Sequence, residues 1–296
     1  MRVCVIFNPV AKGNKARHFR RHLDLIGADC ALKQTVAAGG ARPLAAEAVV
    51  EGFDTIIAAG GDGTLNEALN GIGDVPGGFE RVRLGVLPLG TVNVFAKEIG
   101  MPMGLARAWQ ALRAGRESRI DLPLAEYRLN GVIERRYFIQ LAGSGLDARA
   151  VELVDWKLKK KIGPLAYAWA GVQAMRQAIP PITVSDGTRT LAGELVFIGN
   201  GRYYGGRYHF FPKADLADGL FDVCVFPKVN WFVASRCAGM LVSRCGPPGA
   251  ITKSFQTSRL TLAAATSMPI QLDGENAGHL PATITLQRQA LRIVRP

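Results

Sequence analysis

Thr55-Ile56-Ile57-Ala58-Ala59-Gly60-Gly61-Asp62-Gly63-Thr64-Leu65-Asn66-Glu67-Ala68-Leu69-Asn70-Gly71 is the stretch from which the rest of the chain can be read. Its short apolar run predicts a strand buried in a parallel sheet. The three glycines and Asp62 predict a tight turn, and a helix follows at once. Thr64 and Glu67 have the spacing of a capping box, which predicts that the helix begins at Thr64. Glycines at the mouth of a helix let a polyanion reach the backbone, where N–H groups and the helix dipole favour phosphate. Asp62 adds a negative charge to this anion-friendly turn, which is intelligible if the carboxylate holds a metal or accepts a bond from a nucleotide. A bare strand-to-helix connection requires neither so many glycines nor the polar helix face of Asn66, Glu67 and Asn70. The turn is not a Walker A loop, since no Gly-Lys-Ser/Thr follows, and its spacing departs from Gly-x-Gly-x-x-Gly.

Around this turn the chain reads as α/β up to about residue 115. Val3–Phe7 is a buried strand ending in Asn8-Pro9 and a basic glycine loop with Lys12 and Lys15. A helix to about Ile26, a strand from Cys30 to Val36 and a helix opened by Gly39-Gly40 and Pro43 follow. Beyond the glycine turn, Leu84–Leu87 is another buried strand. Gly90-Thr91-Val92-Asn93 leads into a helix through Glu98, and a last helix spans about Pro102 to Ala114. Strands alternating with helices imply right-handed crossovers and a parallel sheet, with ligands at the strands' carboxyl ends. Asn8, Thr35, Gly60–Thr64 and Gly90–Asn93 all fall at such ends.

After Arg116 the pattern becomes mainly antiparallel β. Asn130-Gly131 is a hairpin turn between Ile120–Leu129 and Val132–Leu141. Asp186-Gly187, Asp218-Gly219 and Asp273-Gly274 punctuate further strands, and helices are predicted at about 147–159, 165–178 and 231–244. Two domains are expected, 1–117 and 118–296, with the final strand free to return to the first and an active site in the cleft between them.

Composition narrows the partners. With 48% hydrophobic and 20% charged residues, the chain of 296 is globular. Its net charge of +12 suits an anionic membrane surface or a polyphosphate, and no motif for nucleic acid accompanies it. Cys4, Cys30, Cys224, Cys237 and Cys245 show no metal or redox spacing and fit a reducing cytosol. No run is long enough to span a bilayer, and the first residues read as a strand rather than a signal peptide.

Gly-Gly-Asp-Gly-Thr-Leu-Asn-Glu resembles the signature of the diacylglycerol kinase catalytic-domain family, which includes bacterial lipid kinases and sphingosine and ceramide kinases. The Gly-Gly-Asp-Gly core is shared with NAD kinases and phosphofructokinases, but further landmarks run in family order to residue 275. The resemblance implies a parallel-sheet nucleotide domain, like that of NAD kinase and phosphofructokinase, followed by an antiparallel β-sandwich-like domain. It also implies an ATP- and Mg²⁺-dependent lipid kinase in the cytoplasm, peripherally associated with a membrane, with a homodimer left open.

Residue by residue, the resemblance places Asn8, Thr35, Gly60, Gly61, Asp62, Gly63, Thr64, Asn66, Glu67, Thr91 and Asn93 at the nucleotide, with Asp62 also catalytic. Pro212-Lys213-Ala214-Asp215-Leu216-Ala217-Asp218-Gly219-Leu220-Phe221-Asp222 implies a structural Mg²⁺ on Asp215, Asp218 and the Leu220 carbonyl. Leu272-Asp273-Gly274-Glu275 implies Glu275 as proton acceptor, with Asp273 as base or metal helper. Gly143-Ser144-Gly145-Leu146-Asp147 matches a further segment. One departure stands out: Val94 replaces the usual aspartate of Pro-x-Gly-Thr-x-Asn-Asp-Phe-Ala. Glu98 lies on the same helix face and is a candidate substitute. Lys157, Lys159, Lys160 and Lys161, beside Tyr167 and Trp169, suit a membrane interface. Two rival readings stay open: a nucleotide- or lipid-binding regulator without turnover, motivated by Val94, and an NAD kinase.

Overall fold

A computed structural model describes residues 2–9, 30–153, 179–206, 208–233, 235–237, 247 and 249–296. Lys12 and Lys15 with their helix, the Lys157–Lys161 cluster, the 165–178 helix and the end of the 231–244 helix lie outside the described residues. The chain forms two compact units. Unit 1 comprises Met1–Leu122, Tyr203–Arg207 and Gln287–Pro296; unit 2 comprises Pro123–Arg202 and Tyr208–Leu286.

Unit 1 is an α/β layer structure. Its strands β1 (Val3–Phe7), β2 (Ala31–Gln34), β3 (Thr55–Gly60) and β4 (Arg83–Pro88) all pair in parallel, in the order β2-β1-β3-β4. β1 and β3 are buried at every position, as expected of strands covered on both faces. The helices are α1 (Ala41–Val50), α2 (Asp62–Gly73), α3 (Gly78–Arg81), α4 (Val94–Glu98) and α5 (Leu105–Ala114). α1 and α2 meet at backbone distance, because a Cβ on Gly71 would lie 2.0 Å from the Arg42 carbonyl oxygen. α5 starts at Leu105, not Pro102, with extended Gly104 as its N-cap.

Two long strands run through both units, β5 (Arg116–Leu129) and β17 (Glu275–Arg295). The end of β17 pairs in parallel with β4, Arg292 opposite Arg83 and Ile293 opposite Leu84. Buried Asp121 accepts the Gln289 N–H at 2.7 Å, at the point where Gln289 adopts φ 47°. That bond supports a left-handed residue within the strand.

Unit 2 is antiparallel. It contains β6 (Val132–Tyr137), β7 (Leu141–Gly145), β8 (Ile182–Ser185), β9 (Thr190–Gly193), β10 (Leu195–Gly199), β12 (Tyr208–His209), β13 (Phe221–Phe226), β14 (Lys253–Thr257), β15 (Arg259–Ala264) and β16 (Pro269–Leu272). The short β11 (Tyr203–Tyr204) belongs to unit 1, and α6 (Leu146–Leu153) follows β7. One run of strands is β14-β13-β10-β7-β16-β17; a second, β9-β8-β15, joins β17 as well. Phe138, Val196, Ile198, Phe221, Val223, Leu260, Leu262, Ile270, Leu272 and Ile284 share one core. This is the expected sandwich-like packing. Asn130 and Gly131 have φ 51° and 82°, and Asp273 and Gly274 have 50° and 83°. Both positive φ values in each pair are those of type I′ hairpins. The segment expected as one strand from Val132 to Leu141 stops at Tyr137 and resumes as β7. Among the described residues no helix is long and apolar enough to cross a membrane.

Candidate functional site

Unit 1 carries the nucleotide-side candidates, and backbone contacts fuse two loops at the ends of β3 and β4. The N–H groups of Leu89 and Gly90 both donate to the Gly60 carbonyl, at 2.9 and 3.1 Å. A Cβ on Gly90 would lie 2.5 Å from the Gly61 Cα, and one on Gly60 would lie 2.4 Å from Thr64 Oγ1. Both glycines are therefore required by close approach rather than by conformation. Asn8 Nδ2 donates to Thr64 Oγ1 at 3.2 Å, which fixes that hydroxyl over Gly60. Thr35 is buried, its N–H bonded to the Phe7 carbonyl at 2.9 Å, and Thr91 is exposed on the second loop.

Asp62 ties these loops together. Its Oδ1 accepts the Val94 N–H at 2.7 Å and the Phe95 N–H at 3.4 Å, so the carboxylate caps the start of α4. An anion there is favoured by both hydrogen bonding and the helix dipole. Asn93, at φ 51°, donates from Nδ2 to the Gly90 carbonyl at 2.7 Å, while its Oδ1 is buried with no hydrogen-bond partner among the described residues.

The capping box is not formed. α2 begins at Asp62, two residues earlier than Thr64, with extended Gly61 (φ −96°, ψ −171°) as N-cap and Leu65 N–H to Gly61 O as an opening helical bond. Glu67 is then too far along the helix to reach back to the cap. Its carboxylate crosses to α1 instead, taking the Gly39 N–H at 2.8 Å and the Ala41 N–H at 2.9 Å. It satisfies donors at a helix start that has no cap side chain of its own. Asn66 and Asn70 do not form an open polar face: both are buried, and Asn70 Nδ2 donates to the Asn66 carbonyl.

Glu98 is buried at the far end of α4, where its Oε2 accepts the Tyr203 N–H at 3.0 Å. The Asp62 contact lies at the opposite end of this helix. Glu98 thus holds β11 against α4.

Unit 2 carries the remaining candidates. Oδ1 of Asp273 accepts the N–H groups of Gln140 and Leu141, and its Oδ2 accepts that of Ile139, at 2.9–3.0 Å. Three backbone donors hold this carboxylate in a structural nest. Glu275, two residues on, has a side chain 44% exposed and an ion pair to Arg136 Nη2 at 2.5 Å. Of the two acids, Glu275 has the exposure a proton acceptor needs. Arg136 was not legible beforehand, since an arginine on a hairpin strand reads as surface.

Gln271, also unforeseen, is 1% exposed and links two motifs. Its Nε2 donates to Asp147 Oδ2 at 2.9 Å and its Oε1 accepts the Gly274 N–H at 2.7 Å. The β16–β17 register shifts between Ile270 and Gln271, a bulge that turns this side chain to its partners. Gly143 makes room for the pair, since its Cβ would lie 2.7 Å from Asp147 Oδ2. A polar residue inside the otherwise apolar run Pro269–Leu272 was the available signal.

Before β13, Asp215 and Asp218 each fold back, accepting the Ala217 and Leu220 N–H groups at 2.9 Å through Oδ1. Both acids are exposed, and Gly219 has φ 83°. Burial pushes the neighbouring Asp222 carboxyl up; Gln256 opposes this, and the Asp218 charge adds to it. Two carboxylates and the Leu220 carbonyl on one turn are hard oxygen donors that fit a hard cation. Among the described residues no three His, Cys, Asp or Glu side chains gather in a metal-holding group, so backbone oxygen would have to complete any such site. Buried Cys4 and Cys224, with thiols pushed up to about 11 by desolvation, are unreactive core residues.

Comparison with known proteins agrees with this arrangement. Residues 2–125 match the diacylglycerol kinase catalytic domain, and residues 140–295 match the YegS C-terminal NAD kinase beta sandwich-like domain. A diacylglycerol kinase of Bacillus subtilis (strain 168) is 30% identical over 308 residues, spanning 100% of this chain and 96% of that protein. One from Staphylococcus aureus (strain bovine RF122 / ET3-1) is 31% identical over 301 residues, spanning 97% and 90%. A diacylglycerol kinase crystal structure from Bacillus anthracis str. Sterne has a similar fold, with TM-score 0.78 at 24% identity over 100% of this chain and 97% of that one. Full-length likeness joins the loops of unit 1 to the sandwich of unit 2 in a single known pattern, and the chain belongs to the diacylglycerol kinase family of phosphotransferases with an alcohol acceptor.

Proposed function

We propose that the chain transfers the γ-phosphate of ATP, with Mg²⁺, to a lipid hydroxyl, and that diacylglycerol is the first acceptor to test, ahead of sphingoid base, ceramide or phosphatidylglycerol. The observation that carries this reading is the pair of glycine loops joined at Gly61 and Gly90 and locked by Asp62. They present backbone N–H groups of the α2 start where a triphosphate can lie against them. Oδ1 of Asn93 is a buried acceptor ready for a hydroxyl or amine of the nucleotide.

Phosphoryl transfer depends mostly on positioning and charge. Asn8 orients Thr64, Asp62 fixes the two loops to one another, and Asp273 shapes the hairpin that presents Glu275. Glu275 accepts the proton of the lipid hydroxyl as that oxygen bonds to the γ-phosphorus and the bond to ADP breaks. Arg136 holds the Glu275 carboxylate in place. Asp215, Asp218 and the Leu220 carbonyl would hold a structural Mg²⁺ that supplies fixed positive charge to their turn, while the Mg²⁺ that accompanies ATP would neutralise its phosphates. The acceptor would be drawn from a membrane surface met peripherally in the cytoplasm, for which the net charge of +12 is suited.

The test is transfer of labelled phosphate from ATP to a panel of lipids in mixed micelles, with Asp62→Ala as blank. A labelled lipid absent from the blank supports the reading and names the acceptor. Labelled NAD in place of lipid would make the chain an NAD kinase. ATP binding without any labelled product would make it a regulator.

A further inference from the structure

A basic, acid-free stretch of the second unit carries an exposed aromatic pair. Between Asp222 and Asp273 the sequence contains Lys228, Arg236, Arg244, Lys253 and Arg259 but no aspartate or glutamate. Within it, Trp231 is 59% and Phe232 61% exposed. Neither is there for want of local order. Asn230 Oδ1 caps the helical turn by accepting the Val233 N–H at 3.0 Å, and Val233 is buried. The Arg236 guanidinium lies 5.6 Å from the Phe232 ring centroid, and Lys228 is exposed just before the turn. Glu194 is the acid at its base, and its Oε2 is engaged by the Val229 N–H at 2.7 Å.

Such a pair has a specific physical preference. Trp and Phe bury poorly in water but well at the boundary between headgroups and acyl chains, while flanking Lys and Arg stay at the phosphates. An acid-free segment loses nothing to repulsion from an anionic surface. A second exposed apolar tip among the described residues, Leu129, Val132 and Ile133, lacks this signature. Glu134 sits beside it and Glu126 pairs with Arg135, so its charge is mixed.

We propose that Trp231 and Phe232, flanked by Lys228 and Arg236, form a docking surface for an anionic lipid bilayer. The proposal rests on the lipid kinase reading only in supplying a reason for the contact; the surface itself is argued from exposure and charge. Each basic residue at the surface contributes roughly fivefold in partition, about 1 kcal/mol.

The experiment is co-sedimentation of the full chain with phosphatidylglycerol/phosphatidylcholine vesicles and with pure phosphatidylcholine vesicles. Alongside it runs phosphorylation of a short-chain, monomeric diacylglycerol without vesicles. The Trp231→Ala/Phe232→Ala and Lys228→Gln/Arg236→Gln variants are expected to lose at least tenfold in partition to anionic vesicles and to keep wild-type activity on the soluble lipid. Vesicles with brominated acyl chains should quench wild-type tryptophan fluorescence more than that of Trp231→Phe, a change that leaves the fold intact. Unaltered partition in both double variants, quenching that is equal with and without Trp231, or a wild-type chain that binds no vesicle overturns the proposal. A chain that docks through these residues yet phosphorylates no soluble lipid would instead sink the kinase reading and leave the docking surface standing.

Discussion

Asp62 and Asp273 both accept backbone N–H groups, yet the structure gives them different tasks, and substitution should separate them. Asp62→Ala removes a helix cap and is expected to lower stability by about 1 kcal/mol, whereas Asp62→Asn keeps an acceptor oxygen and most of that stability. Both should reduce labelled-phosphate transfer at least 100-fold, because the charge between the loops is lost in each. An Asp62→Asn protein with wild-type turnover would show that the residue serves only as a cap. Asp273→Ala leaves the N–H groups of Ile139, Gln140 and Leu141 without their acceptor, and urea denaturation should show a loss of about 3 kcal/mol or more. Glu275→Gln, at a half-open position, should change stability little. At this scale the sequence singled out these side chains but not their partners. Glu67 was readable as a helix-start residue, yet which helix it serves depends on the α1–α2 packing, and Glu98 looked like a spare acid until its bond to Tyr203 was seen.

Among the elements, the two glycine loops and the last strand are where sequence and packing meet. Gly90→Ala would press a methyl to within 2.5 Å of the Gly61 Cα and force the loops apart. Isothermal titration should show ATP binding weakened at least tenfold, with far-ultraviolet circular dichroism unchanged; wild-type affinity would exclude the contact as the basis of the phosphate site. The end of β17 is held by Arg292, which pairs with Glu117 at 2.8 and 2.9 Å and donates to the Glu80 carbonyl. The hydrogen bonds from Arg292 hold the Glu117 carboxyl below the usual glutamate range, mildly opposed by desolvation. A depressed carboxylate stabilises above its unfolded pKa and ceases to as pH falls through the folded value. Arg292→Met should therefore lower the melting temperature at pH 7 by an amount that shrinks below about pH 4. The pair is partly open to solvent, so its share is about 1 kcal/mol or less. The parallel strands were legible because doubly covered strands are continuous apolar runs. The course of β17 was less so, since its left-handed Gln289 is stabilised by Asp121 from far away in sequence, a pairing that no local pattern announces.

For the molecule as a whole, the chain visits unit 1 three times, at its start, at Tyr203–Arg207 and at Gln287–Pro296. Nucleotide-side candidates gather in unit 1, and the candidate acceptor-side acids and candidate cation turn in unit 2. The proposed function then predicts that changes in the first set affect ATP binding and that changes in the second affect the chemical step. Family motifs made both sets visible in the sequence, because glycine turns and paired acids are local. Arg136 carried no local signal, and Gln271 only that of a polar residue in an apolar run, because their contacts arise only when distant strands pair. The most direct test measures ATP binding and labelled-phosphate transfer to diacylglycerol side by side for wild type and Glu275→Gln. The account predicts ATP affinity within twofold of wild type and turnover reduced by roughly 100-fold or more, the range for loss of a general base. Wild-type turnover in Glu275→Gln, or a loss of ATP binding equal to the loss of turnover, would contradict it.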